Sequence, residues 1–177
     1  MEINEAAEML ITTNGKIFEG IQVWADLGCG TGTFTLALAT LLQPGSIIHA
    51  IDENSSALHQ IPSSHNNVKI DTKKIEFVHD DLQLKNLDGI LIANALHYVK
   101  DKKSFISKLI DDLKPGGCFL VVEYETEIPV KTWVPYPINF AKLKELFADS
   151  GHGIIQKLHE RKSVYGPIMY SALLINN

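Results

Sequence analysis

Residues 23–36 read VWADLGCGTGTFTL: an apolar run ending in Asp26, then Gly28, Gly30 and Gly32 at alternate positions, then the start of a helical pattern. Glycine inside a regular element costs about 0.5–1 kcal/mol relative to alanine. Three so close together mark a place where bare backbone is needed. In an open α/β sheet the ligand lies beyond the carboxyl ends of the strands, where strand order reverses. A glycine turn between the first strand and its helix exposes N–H groups at that spot. The stretch therefore predicts strand, ligand loop and helix. A merely tight strand–helix junction is the competing reading, and it explains one glycine more readily than three.

Outward from this loop, apolar strands alternate with helices. Strands are expected at 21–26, 46–52, 75–80, 87–95 and 118–125, and helices at 33–42, 55–61 (capped by Asn54 or Ser55), 102–113 and 140–151, the last with Gly151 as its C-terminal cap. Residues 62–73, PSSHNNVKIDTK, read as a polar surface loop. A short amphipathic helix is expected over 3–11, with Ile3, Ala6, Ala7 and Leu10 on one face. Continuously apolar strands joined through helices predict a mostly parallel, doubly wound α/β sheet. The last two strands, 153–161 and 168–176, are separated by a loop holding Tyr165, Gly166 and Pro167. That loop is too short for a parallel crossover, so the pair is antiparallel. One domain is expected over 1–177, with 1–20 as a helical arm and 21–177 as the core.

Bulk composition narrows the class. The 177 residues are 45% hydrophobic and 21% charged, values of a globular chain rather than a disordered one. With a net charge of −5 and no Lys/Arg cluster, no nucleic-acid partner is expected. Cys29 and Cys118 lie in no metal-type spacing, which suits free thiols in a reducing cytoplasm. No stretch approaches the ~20 apolar residues of a membrane helix, and the amino terminus does not read as a secretory signal. A cytoplasmic protein without a membrane partner is the expectation.

The loop spacing is G-x-G-x-G, with Thr33 where a dinucleotide fingerprint would place its third small residue, and no GK[ST] follows. Asp26-Leu27-Gly28-Cys29-Gly30-Thr31-Gly32 resembles the first motif of the class I S-adenosylmethionine-dependent methyltransferases. The likeness continues through Asp52 in HAIDENS, His79-Asp80-Asp81-Leu82, Asn94-Ala95-Leu96-His97-Tyr98-Val99, and LKPGGCFLVVE at 113–123. It covers nearly the whole chain after residue 20. The resemblance implies a Rossmann-like fold with S-adenosyl-L-methionine as cofactor. It further implies that Asp52 holds the ribose hydroxyls, Asp81 the adenine amine beside apolar Leu82, and Asn94 the methionine part. Asp26, Gly28, Cys29, Gly30, Thr31 and Gly32 complete the implied cofactor site. A carboxylate at Asp52 suits two hydroxyl donors, although acids at strand ends also cap helices.

Methyl transfer from a sulfonium is an in-line displacement, so positioning dominates, and a base is needed only for a protonated acceptor. His97 is the candidate base, expected at the cleft floor; a packing residue is its competing reading. The segment after strand four lacks the [DN]-P-P-[YF] of amino methylation, neither cysteine follows a proline, and Asp101 with Glu123 gives no strong metal-site match. A small-molecule O, N or C acceptor remains. Glu123, Tyr124, Trp133 and Tyr136 are candidates for the acceptor side, whereas His152 and His159 are expected at the surface. The short insertion leaves room for an open site, a large acceptor or closure by a second subunit, so a homo-oligomer is possible. A cofactor-holding module without turnover is the alternative, and a nicotinamide oxidoreductase is disfavoured by the loop spacing.

Overall fold

The computed structural model describes residues 1–12, 15–148, 152–163, 166 and 168–176. In chain order its elements are α1 (Ile3–Leu10), β1 (Val23–Leu27), α2 (Thr33–Leu41), β2 (Ile47–Asp52), α3 (Ser55–Leu58), β3 (Ser64–His65) and β4 (Val68–Lys74). There follow β5 (Leu87–Ala93), α4 (Lys102–Ile110), β6 (Leu113–Tyr124), α5 (Phe140–Ala148), β7 (His152–Lys162) and β8 (Ile168–Asn176). The strands form one sheet in the order β3-β4-β2-β1-β5-β6-β8-β7. β4, β2, β1, β5 and β6 are mutually parallel, while β8 runs antiparallel to both β6 and β7. Strand order reverses at β1, so the glycine loop sits at the switch point.

Side-chain alternation divides the interior. Ala25, Ile90, Ile92, Phe119, Val121, Tyr170 and Ala172 join Phe105 and Ile106 of α4 and Leu143 and Phe147 of α5 in one cluster. Their strand neighbours Trp24, Leu91, Leu120, Val122 and Leu173 join Ala6, Met9 and Leu10 of α1 and Ala37 and Leu38 of α2 in another. Both faces of the sheet are thus covered, as the unbroken apolar strands require. α1 is part of this core rather than an appended arm.

The third parallel strand lies earlier than expected. Residues 68–74 form β4, paired to β2 from Ile47↔Lys69 to Asp52↔Lys74, whereas 75–80 is turn. Val68 and Ile70 are buried, Lys69, Thr72 and Lys74 are exposed, and Asp71 and Lys73 are half-buried. The strand lies next to the sheet edge and carries the polar outer residues of such a position. Within 75–80 the Glu76 side chain accepts from the Val78 N–H, and that of Asp80 accepts from the Glu76 N–H, bending the chain locally. β6 also begins early: α4 stops at Ile110, and Leu113 already pairs with Leu87 before a bulge carries the chain to Gly89↔Cys118. Asn54 caps α3, accepting from the N–H groups of Ser56 and Ala57. Gly151, Tyr165 and Pro167 lie outside the described residues.

Candidate functional site

β1 delivers Asp26 and the loop to the carboxyl edge of the sheet, and β2 holds the loop in place. The N–H groups of Gly28 and Cys29 both donate to the Ile51 carbonyl, at 2.8 and 3.0 Å. Asp52 accepts from the Gly30 N–H at 2.8 Å through Oδ2 and from the Asn54 N–H at 2.8 Å through Oδ1. The glycines then have different reasons. A Cβ on Gly28 would stand 2.6 Å from that of Ala95, and one on Gly32 would stand 2.8 Å from Ile61, so packing forbids both. A Cβ on Gly30 would meet nothing within 4 Å, although φ there is +54°. Gly30 borders open space.

That space is a cavity of about 400 Å³, within the range of small-ligand sites. Asp26, Gly28, Cys29, Gly30, Thr31 and Asn94 line it, together with Tyr124, Met169 and Arg161. Asp26 is buried and accepts from the Thr35 hydroxyl at 2.6 Å through Oδ2, while Oδ1 is buried without a partner. Burial pushes this carboxyl up to about 7, with the Thr35 hydrogen bond opposing and the Asp52 charge adding. Asn94 has φ +53°, and its Oδ1 is also buried without a partner. Two unpaired buried oxygens on a cavity wall are costly unless a donor arrives. The amino group of an amino-acid-like ligand supplies such donors, so the residues fit S-adenosylmethionine. Burial, with the charges of Asp26 and Asp52 adding, drives the Cys29 thiol far up and favours its protonated form.

Other expected positions fall elsewhere. Because β4 ends at Lys74, Asp81 and Leu82 border a separate groove with Lys73 and Ile75. Leu82 is a buried core residue, and Asp81 accepts from the Gln83 N–H at 2.9 Å. Neither lines the glycine-loop cavity; Phe77 approaches Gly28 instead, its ring 3.2 Å from where a Cβ would lie. Asp52 meets the loop but is not on the cavity wall.

His97 is not at the cleft floor. It is 1% exposed, its backbone N–H meets Glu123 Oε1 at 3.0 Å, its ring Nδ1 meets Glu123 Oε2 at 2.8 Å, and Nε2 is buried without a partner. It stands behind the wall formed by Tyr124, ring centroids 6.0 Å apart. Tyr124 carries Trp133 edge-on at 5.4 Å, while the Tyr136 ring is partly exposed beneath the Lys102 ammonium. His159 is exposed, and the His152 side chain lies outside the described residues.

Sequence reasoning did not find Glu5, Phe34, Arg161, Lys162 or Met169 on the cavity. The signal for Arg161 was available: it ends a strand that runs parallel to β6 and so reaches the same sheet edge.

Comparison with known proteins bears on the family and the fold. The family model described as "Methyltransferase domain" matches residues 25–119, more than half of the chain. A carboxy-S-adenosyl-L-methionine synthase of Pseudoalteromonas atlantica is 27% identical over 68% of this chain and 49% of its own. The ubiquinone/menaquinone biosynthesis C-methyltransferase of Pasteurella multocida is 28% identical over 58% and 40%. The chain thus spans half the length of these curated relatives, or less. The magnesium protoporphyrin IX methyltransferase of Synechocystis, solved with S-adenosylmethionine bound, superposes with a TM-score of 0.70 at 13% identity, covering 99% of this chain and 78% of that one. Its fold is the same Rossmann-like one.

Proposed function

This chain belongs to the class I S-adenosylmethionine-dependent methyltransferase family, and we propose that it methylates an O, N or C atom of a small-molecule acceptor. The observation that carries this reading is the pair of unpaired buried oxygens, Asp26 Oδ1 and Asn94 Oδ1, on a cavity beside an unobstructed Gly30. When bound, the cofactor supplies an electrophilic methyl group already activated by its sulfonium charge. The chain's own task is then to orient and to exclude water. Asp26 and Asn94 receive the amino-acid end, and the Gly30 backbone lets the ligand approach. Asp52 holds the loop, and on this reading gives its outer lone pairs to the ribose. Tyr124 and Met169 wall the acceptor side. Asp81 stays a candidate for the adenine amine only if 75–86 closes toward the loop; Phe77 is the better placed flank.

No proton acceptor with the access of a base comes from His97, which favours acceptors arriving with a free lone pair. Similarity to a C-methyltransferase named for ubiquinone/menaquinone biosynthesis supports a small acceptor, as does the net charge of −5. The same sealed histidine favours the second reading, a module that holds cofactor without turnover. Calorimetric titration with S-adenosylhomocysteine, with NADH as control, tests the premise. Binding of the first alone supports the family chemistry; binding of neither removes the catalytic claim. Release of S-adenosylhomocysteine from S-adenosylmethionine on acceptor addition then separates enzyme from module.

A further inference from the structure

The acceptor end of the cavity holds a charge that the methyl-transfer reading does not use. Arg161, at the carboxyl end of β7, lines the cavity beside Lys162, and its guanidinium Nη2 is paired with Glu5 Oε1 of α1. Glu8 Oε2 stands 3.9 Å from Nη1. The Arg161 side chain is 35% exposed, so it is neither sealed in the core nor free in solvent. A half-buried guanidinium with a planar donor fork is the side chain best suited to a carboxylate. The chain's own Glu5 shows a carboxylate taking that position.

We propose that the acceptor is a carboxylic acid with an apolar body, and that Arg161 anchors its carboxylate in place of Glu5; this rests on the methyltransferase reading above. The Glu5 side chain is itself 37% exposed, so on displacement its carboxylate turns to water and is not stranded as a buried ion. Glu5 keeps a second role when displaced, because Oε2 accepts from the Glu2 N–H at 2.9 Å in the capping box of α1. Apolar side chains share this lining: Ala93, Phe34, Tyr124 and Met169 lie on the same cavity. In the sheet, β7 stands four strands from β1, roughly 19 Å at the usual spacing. Arg161 therefore holds the far end of the acceptor, not the atom that receives the methyl group. The anchor selects an extended amphiphilic acid over a compact polar one.

The test uses octanoate and 3-phenylpropionate as probes, with 1-octanol and 3-phenylpropanol as their uncharged counterparts. Each is titrated into protein saturated with S-adenosylhomocysteine. At least one acid is expected to bind more tightly than its alcohol, and Arg161→Met to weaken that acid by about tenfold, the scale of a lost charge-assisted pair. Glu5→Gln removes the competitor but keeps the cap acceptor, and is expected to tighten acid binding by about threefold. Retained S-adenosylhomocysteine binding in both variants shows that the fold has survived. The proposal is overturned if neither acid outbinds its alcohol, if Arg161→Met binds the acids as well as the parent, or if Glu5→Gln weakens them. Failure of the parent protein to bind S-adenosylhomocysteine at all would instead overturn the underlying reading.

Discussion

Asp26 joins stability and binding through one proton. Burial pushes its carboxyl up to about 7, against about 3.9 for an aspartate in an unfolded chain. Between those values the native state holds a proton that the unfolded state has lost. Stability therefore falls as pH rises from about 4 to about 7 and is flat above, by up to about 4 kcal/mol in all. Thermal melts of the ligand-free protein from pH 5 to pH 8 should decline, and Asp26→Asn should flatten the decline. Ligand binding runs the other way, since a cationic amine pairs with the ionised carboxylate. Affinity for S-adenosylhomocysteine is expected to improve by about tenfold from pH 6 to pH 8. Equal affinity at both pH values would remove Asp26 from the amine site. Asp52 acts through two backbone donors, Gly30 and Asn54. Asp52→Ala is expected to weaken the same ligand by roughly 1.5–3 kcal/mol in calorimetry, the worth of hydrogen bonds to a charged group.

At the scale of elements, the end of β6 is tied to the turn after β5 by one buried carboxylate. Glu123 is fully buried and receives the N–H and the ring of His97. Asn94, three residues before His97, is held in the same connection, with its N–H donating to the Val122 carbonyl at 2.8 Å. Glu123→Ala leaves the histidine's donors unmet and is expected to cost about 3–5 kcal/mol in denaturant unfolding. Glu123→Gln, which retains an acceptor for the backbone N–H, should cost clearly less. A null effect of the alanine variant would mean that the tie carries no load. Elements also show where sequence reading succeeded. The glycine loop, α2, β2 and β5 were legible because a local signal, apolar run or glycine spacing, fixed each one. β4 was not, because a strand beside the sheet edge shows alternating lysines and few apolar residues, and IEFVHD looked more strand-like than VKIDTKK. The displaced strand moved Asp81 and Leu82 with it. His97 was misplaced for another reason: its partner Glu123 lies 26 residues away, and nothing local announces the pairing.

Over the whole molecule, the cavity draws on β1, β5, β6, β7, β8, α1 and α2, so a ligand there bridges the amino- and carboxyl-terminal parts of the sheet. Ligand that binds only the folded state stabilises it by mass action, about 2.7 kcal/mol at a hundredfold excess over Kd. For a chain of this size that raises Tm by roughly 5–10 °C. The chain carries its own reporters for whether the rise is shared. Trp24 is fully buried between the sheet and the face covered by α1 and α2, and Trp133 lies edge-on to Tyr124 at the cavity wall. If residues 1–177 unfold as one cooperative unit, far-UV circular dichroism and the fluorescence of a Trp133→Phe variant, which reports Trp24 alone, shift together with S-adenosylhomocysteine. The integration of α1 into the core through Ala6, Met9 and Leu10 favours that outcome. A dichroism transition that moves while the Trp24 transition stays would instead divide the sheet into separately melting parts, and would confine the ligand's effect to the half that holds Tyr124.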